Sequence, residues 1–588
     1  MKKTAKASPT AISSARTSHW GLPLLGLGVL GYVLFFLNLG GYPLFDMDEP
    51  RYAEAAREMI ESGNWITPYF NYELRFDKPV FFYWLIALAY QAMGVSEFSA
   101  RFFSAVSAFS VVLMVFFFGR HWVSTRFGLF AAAILATSIE VIGLARMSVT
   151  DMTLSCFMAA TTLCLFMVAH QSRRWWIAAA ICSGLAILTK GPVGIVVPGA
   201  ILFIYAALTG QFKKCFATPW FPVALVLTAC LALPWYVAAY MENGQIFIDA
   251  LFKHNVTRYN GVVSGHDYPV YFFVLVLLVG FLPWTAFLPA SVHYWWNRFK
   301  AIVVEKPLAA GNPTDMTGAV ALYGFIWTVF IFLFFTAAQT KLLTYILPLF
   351  PGIALFMGAS WYQLTTGKAA EKSGLLRWFS WSGLLLVVAL LVVGSLFVAS
   401  PEKFLPREAK HLSENPANLV AVSILVGGTA LAVWNLFRKQ PTQALTYQVS
   451  TMALLVTVAI TQIVPQINQA AQGAMISYLK QAGETPLVTY EITRPSLTYY
   501  ARKKILRVPQ DDRATLEALL KTHPQLYVVT KNSYLDTFWK TIPASHAGQV
   551  VESGKRYTLV RLEATDKTGP VIMEAVTEPS APAAPRKP

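Results

Sequence analysis

Apolar runs of about 17 to 23 residues, separated by short polar and basic stretches, recur along the first 466 positions, and each is long enough to cross ~30 Å of hydrocarbon as a helix. Thirteen such runs fall near 21–39, 99–119, 127–145, 151–170, 175–189, 191–209, 218–240, 270–291, 318–336, 342–361, 378–399, 418–436 and 449–466. In lipid the backbone must satisfy its own hydrogen bonds, so these runs are expected to be helices. The loop at 40–98 carries a stretch of helical composition at 51–62. A shorter aromatic-rich run at 79–94 follows, and it suits a helix lying at the membrane interface or a re-entrant segment.

Beyond residue 466 the pattern changes. Short β-rich runs at 487–491, 505–508, 525–530 and 557–562 alternate with helix-like stretches at 495–502, 515–523 and 533–540, which predicts a small α/β domain over 467–563. From 564 to 588 the chain drifts to Pro and Ala and is expected to be disordered. The fold class expected is thus an α-helical polytopic membrane protein of about thirteen transmembrane helices with a C-terminal α/β domain.

Composition agrees with this pattern: 55% of the 588 residues are hydrophobic and 13% charged, about half the charged share of a soluble domain. The formal charge of +16 resides in short clusters between apolar runs, not on one soluble face, so no nucleic-acid partner is expected. Placing the N-terminus inside makes every inner loop basic: Lys2, Lys3, Lys6 and Arg16, then Arg120 and Arg126, Arg173 and Arg174, Lys213 and Lys214, Arg298 and Lys300, Lys368 and Lys372, Arg438 and Lys439. Residues 1–20 then form a cytoplasmic segment and 21–39 an uncleaved signal-anchor, while loop 40–98 and the C-terminal domain lie outside. The five cysteines lie in or beside the apolar runs and support neither a disulfide framework nor a Cys-rich zinc site.

The ionisable residues at span ends all map to the outer side under this topology. Asp48 and Glu49 precede Arg51 in Asp48-Glu49-Pro50-Arg51-Tyr52; Asp77 and Lys78 follow in Phe76-Asp77-Lys78-Pro79. Arg146, Asp151, Lys190, His254, Arg258, Lys341 and Tyr345 complete the set. A charge costs about 2.5–3.5 kcal/mol at a helix centre and less toward the ends, so such groups face a polar cavity or one another. Any one of them alone suits a snorkelling or helix-end role; their convergence on one side points to a common cavity, with Glu49, Asp151, Lys341 and Tyr345 among its walls. A transporter would place such groups near mid-membrane, often on repeated halves, and neither pattern is present. An anchored scaffold working through its C-terminal domain is the other alternative. Neither a Walker A loop nor a dinucleotide fingerprint occurs at a strand-to-helix turn, so no nucleotide cofactor is expected.

The motifs Asp48-Glu49-Pro50-Arg51-Tyr52-Ala53-Glu54, Trp65-Ile66-Thr67-Pro68, Phe76-Asp77-Lys78-Pro79, Tyr83-Trp84, Glu97-Phe98-Ser99-Ala100-Arg101, Thr189-Lys190-Gly191-Pro192 and Lys341-Leu342-Leu343-Thr344-Tyr345-Ile346-Leu347-Pro348 run in one order over about the first 350 residues. In this they resemble the lipid-A aminoarabinose transferases, relatives of the protein O-mannosyltransferases. The resemblance implies a C-type glycosyltransferase fold, an undecaprenyl-phosphate-linked sugar donor, lipid A as acceptor, and an external catalytic cavity in the bacterial inner membrane. It makes Asp48 the essential acid and sets Lys78 and Arg258 against the carrier phosphate, with Arg51 and Lys190 sharing that task. It also implies that Asp77 and His254 hold a divalent metal. Where the family generally has Tyr-Phe-Glu-Lys-Pro, this chain has Arg75-Phe76-Asp77-Lys78-Pro79. The choice between aminoarabinose, another amino sugar and a neutral hexose therefore stays open, as does a protein or other glycan as acceptor.

Overall fold

In the computed structural model of the protein, residues 20–253, 268–305, 316–400, 403–404, 415–510, 512–543, 545–564 and 572–573 are described. The N-terminal segment up to residue 19, nearly all of the expected tail, and both His254 and Arg258 lie outside the described residues. Every one of the thirteen apolar runs is helical over most of its length. Among the described residues, eight helices are long and apolar enough to cross a membrane, or ten when each of two bent pairs counts as one span. The chain is a multi-pass helical membrane protein.

Two runs expected as single straight helices are broken. The first, Thr125–Ala136 followed by Ile139–Ala145, bends by 67°. At the break the hydroxyls of Thr137 and Ser138 donate to the carbonyls of Ala133 and Ile134, and Trp284 Nε1 donates to Thr137 Oγ1 at 3.1 Å. Such back-bonding gives the backbone an alternative to its helical ladder. The second, Phe272–Gly280 followed by Trp284–Glu305, bends by 107°, and Pro283 stands in the gap, where it has no N–H to continue the helix. Two buried arginines secure the end of the first helix. Arg101 donates to the carbonyls of Leu39 and Tyr42, and Arg146 to those of Leu34 and Leu37.

The described residues form two compact units. The first holds the helices up to Pro465; the second begins at Gln466 and also takes in Pro43–Glu54. The sequence pattern assigns that early stretch to the first outer loop of the membrane domain. It counts with the second unit because Asn468 donates to the carbonyl of Pro43, and Tyr500 and Arg494 bond to Leu44 and Asp46.

The second unit contains a six-stranded sheet in the order β4-β3-β5-β7-β6-β8, with β3 at Leu487–Tyr490, β4 at Leu506–Val508, β5 at Gln525–Lys531, β6 at His546–Ser553, β7 at Tyr557–Ala564 and β8 at Ile572–Met573. β1 (Tyr69–Phe70) and β2 (Glu73–Leu74) form a separate small hairpin in the first unit. β3 is parallel to both β4 and β5, whereas β5, β7 and β6 are antiparallel. All four residues of β3 are buried, as a parallel strand covered on both faces must be. Leu487 packs with Tyr478, Leu497 and Val529 on one face; Val488 and Tyr490 pack with Leu516, Phe538 and Val560 on the other.

Candidate active site

The largest concentration of the expected site residues lines one cavity of about 530 Å³ in the first unit. Asp77, Lys78, Asp151, Lys190 and Tyr345 are in its lining, among walls that include Trp235, Tyr236, Phe247, Phe334 and Phe335.

Asp77 and Lys78 are delivered by a short hairpin. β1 (Tyr69–Phe70) pairs with β2 (Glu73–Leu74) across Asn71 and Tyr72, which have φ of 58° and 60°. Positive φ at both central positions is the type I′ geometry that matches strand twist. The N–H groups of these two residues would point away from any ladder partner, and Glu58, on the helix Glu49–Ser62, accepts both, at 2.7 and 3.0 Å. The chain then closes with Arg75 N donating to Pro68 O at 2.9 Å. The Trp65-Ile66-Thr67 turn is tied down as well: Asn64 Oδ1 accepts from the N–H groups of Ile66 and Thr67, Trp84 Nε1 donates to Trp65 O, and Trp235 Nε1 donates to Ile66 O. Arg75 bridges the assembly, with a guanidinium nitrogen 2.9 Å from Asp77 Oδ2 and Nε donating to Tyr83 OH at 3.3 Å.

Asp151 and Lys190 come from helix ends. Asp151 sits in the first turn of Thr150–His170, where the helix dipole favours an acid. Lys190 ends Trp175–Lys190, and Gly191, with φ of 92°, allows the abrupt reversal into Val193–Leu208. Lys190 Nζ lies 2.5 Å from Asp151 Oδ1, with both side chains largely buried, and 5.0 Å from the centre of the Tyr345 ring. Asp151 is a wall of the cavity, as the sequence implies, and in addition forms an ion pair with Lys190.

Other expected residues stand apart from this lining. From the 341–348 motif the cavity takes Thr344, Tyr345 and Pro348, while Lys341 is absent from the described lining and only 5% exposed. Asp48, Glu49 and Arg51 count with the second unit. Asp48 is exposed and precedes the helix Glu49–Ser62, its carbonyl accepting from Arg51 N at 3.1 Å. Glu49, expected in the cavity, is fully buried, and its Oε2 accepts from Phe45 N at 2.8 Å. Of the expected metal pair, His254 is outside the described residues, and the Asp77 carboxylate already faces the Arg75 guanidinium. Among the described residues no group of three His, Cys, Asp or Glu is placed to hold a metal ion. The positive charge beside Asp77 disfavours a second cation there. Two polar residues that the sequence reading passed over are Glu58 and Asp46; Glu58 sits at helical spacing from Glu54, and Asp46 is two positions before Asp48.

Comparison with known proteins places these features in context. A family model described as dolichyl-phosphate-mannose-protein mannosyltransferase matches residues 77–237. The undecaprenyl phosphate-alpha-4-amino-4-deoxy-L-arabinose arabinosyl transferase of Pectobacterium atrosepticum is 30% identical over 427 residues, covering 70% of this chain and 71% of that protein. Its namesake from Aeromonas salmonicida is 28% identical over 422 residues, or 71% of this chain and 72% of the relative. In fold, the chain resembles the crystal structure of ArnT from Cupriavidus metallidurans bound to undecaprenyl phosphate, with a TM-score of 0.75 and 23% identity over 92% of this chain and 97% of that one.

Proposed function

Because the chain belongs to the family of undecaprenyl phosphate-alpha-4-amino-4-deoxy-L-arabinose arabinosyl transferases, we propose that it is an inverting glycosyltransferase that moves 4-amino-4-deoxy-L-arabinose, or another amino sugar, from undecaprenyl phosphate to lipid A. The observation that carries this reading is the cavity in which lysines and aspartates stand among aromatic and aliphatic walls. A ligand with an anionic head on an apolar chain matches both halves of that lining.

Transfer with inversion is one displacement. The acceptor oxygen forms its bond to the anomeric carbon as the bond to the carrier phosphate breaks, and that electron pair leaves with undecaprenyl phosphate. Lys78 offsets the charge that builds on the leaving phosphate, with Lys190, Arg51 and Arg258 in the same role. A lipid-A phosphate is already anionic at neutral pH, since a phosphomonoester has a second pKa near ~6. Asp48 then has no proton to remove and acts by orienting the acceptor or stabilising positive charge on the sugar ring. A hydroxyl acceptor would make it the general base.

The membrane arrangement supports the same reading. With the bent pairs as single spans, and the apolar helices Gly21–Phe36, Trp175–Lys190 and Val193–Leu208 crossing as well, the chain passes the membrane thirteen times, and Phe81–Met93 lies at the interface. Basic loops inside put the cavity and the C-terminal domain on the periplasmic side of the inner membrane. The test is mass spectrometry of lipid A from cells with and without the gene. Lipid A gains the mass of one amino sugar in the presence of the wild-type gene, and Lys78→Ala or Asp48→Asn at equal protein level lowers transfer by about 100-fold or more. Unmodified lipid A with the wild-type gene, in cells that make the lipid-linked donor, would refute the acceptor; near-wild-type transfer by both variants would refute the site.

A further inference from the structure

Asp46 is two residues from Asp48 and behaves as its opposite. Asp48 is exposed, whereas the Asp46 side chain is 2% exposed and lies 3.2 Å from Arg494. Asp46 Oδ1 also accepts from Ser496 N at 2.8 Å, and Oδ2 from Ser496 Oγ at 2.6 Å. Arg494 is itself fixed: Nε and Nη2 donate to Tyr557 OH at 2.9 and 2.6 Å, and its guanidinium stands 4.6 Å from the centre of that ring. The three residues before Asp46 are firmly held as well. Asn468 Nδ2 donates to Pro43 O at 2.9 Å, Leu44 N donates to Tyr500 OH at 2.9 Å, and Phe45 N donates to Glu49.

The location of this contact is informative. β3 has β4 on one side and β5 on the other, so the strand order reverses there. Open α/β sheets bind ligands in the crevice beyond the carboxyl ends of the strands at such a reversal. Arg494 follows the carboxyl end of β3, and Tyr557 pairs with Lys531 at the carboxyl end of β5. The group that occupies this position is a carboxylate of the same chain, about 450 residues away. A buried ion pair is a poor way to add stability, because desolvation offsets much of the attraction; its better-attested use is to fix one geometry.

We propose that the C-terminal α/β domain is a positioning device for glycosyl transfer: Arg494 and Ser496 hold Asp46 and thereby fix the segment that presents Asp48. Asp46, Arg494 and Ser496 are positioning residues, and the inference rests on the reading of Asp48 as the acting carboxylate.

The experiment uses the full-length enzyme in lipid nanodiscs and compares Asp46→Asn, Arg494→Gln, their double variant, and the milder Ser496→Ala and Arg494→Lys. Hydrogen exchange reports on the 43–54 segment and on β5, while kinetics separate kcat from KM for the lipid-linked donor. Amide exchange over 43–49 rises by about tenfold in Asp46→Asn and Arg494→Gln, with β5 still protected. Misplacing a reacting group by ~1 Å costs about 100-fold, so kcat falls toward that extent in both. KM for the donor changes less than kcat, because the described cavity lining lies in the first unit and, of the residues set against the carrier phosphate, only Arg51 lies in the loosened segment. The double variant is no worse than the poorer single one, and Arg494→Lys and Ser496→Ala fall between. Unchanged exchange at 43–49 in both single variants would overturn the clamp. So would faster exchange with unchanged kcat, or activity lost only in step with β5 protection. If instead Asp48→Asn retains full turnover, the catalytic reading fails while the exchange result stands on its own.

Discussion

The Lys190–Asp151 pair allows a sharp test, because it has both a structural and a chemical reading. The two side chains are 14% and 11% exposed, and the ammonium and carboxylate lie 2.5 Å apart. Removing one partner of a buried pair costs about 3–5 kcal/mol, mostly for the charge left behind. Their residual exposure puts this pair at the lower end, near ~3 kcal/mol, with ~0.5–1 kcal/mol more from the Tyr345 ring over which Lys190 sits. Lys190→Met is therefore expected to lower the temperature at which the purified enzyme loses its monodisperse chromatographic peak. The double variant Asp151→Leu/Lys190→Met should recover most of that loss, since apolar residues of similar volume replace buried pairs at little expense. Turnover separates the readings. If Lys190 stabilises the leaving phosphate, kcat stays down by about 100-fold or more in both variants, the effect of removing one preorganised donor from a developing oxyanion. Asp151→Asn adds a signed check: relieved of its carboxylate, Lys190 engages phosphate more strongly, and undecaprenyl phosphate becomes a tighter product inhibitor. A double variant that is both stable and fully active would show that the pair only joins two helix ends.

Two further outcomes follow from the same geometry. Cysteines placed at exposed Ser62 and Lys521, in a background lacking the five native cysteines, should both react with a membrane-impermeant maleimide added to intact spheroplasts, and protection of both until lysis would sink the proposed orientation. Glu58→Ala strands two N–H groups of the hairpin turn, at about 1–3 kcal/mol each before water rescues them; kcat/KM should fall at least tenfold, with partial recovery in Glu58→Gln, and an unchanged value would mean that the hairpin does not position Asp77 and Lys78.

What the sequence disclosed, and what it hid, divides along a physical line. The membrane helices were legible because a lipid-facing helix needs an apolar run of fixed length, and that is a local property. The breaks at Thr137-Ser138 and Pro283 were not, because hydroxyls and prolines are tolerated within membrane helices wherever neighbours satisfy the freed backbone. In the C-terminal domain β3, β4, β5 and β7 stand out as short runs rich in β-branched, aliphatic and aromatic residues. β6 does not, since His-Ala-Gly-Gln-Val-Val-Glu-Ser has little alternation and carries an irregularity between Val550 and Glu552. The charged motifs at 77–78, 151 and 190 do converge on one cavity. Asp46 and Arg494, by contrast, are paired across 448 positions, and no periodicity relates them.

The cavity also has a charge pattern that composition alone would not suggest. Its described charged lining is two lysines and two aspartates, so these four charges balance among themselves. Asp151 neutralises Lys190 directly, and Arg75 stands behind Asp77. Balance of this kind is what allows charges to remain close to hydrocarbon, where an unpaired ion would be costly. It also sets the terms for an anionic donor. The phosphate of a lipid-linked donor would have to compete with Asp151 for Lys190, whereas the ammonium of an amino sugar would have Asp77 and Asp151 to meet. If Lys190 meets the leaving phosphate, Asp151 already stands beside it to reclaim the ammonium as undecaprenyl phosphate departs, and Asp151→Asn should slow that departure.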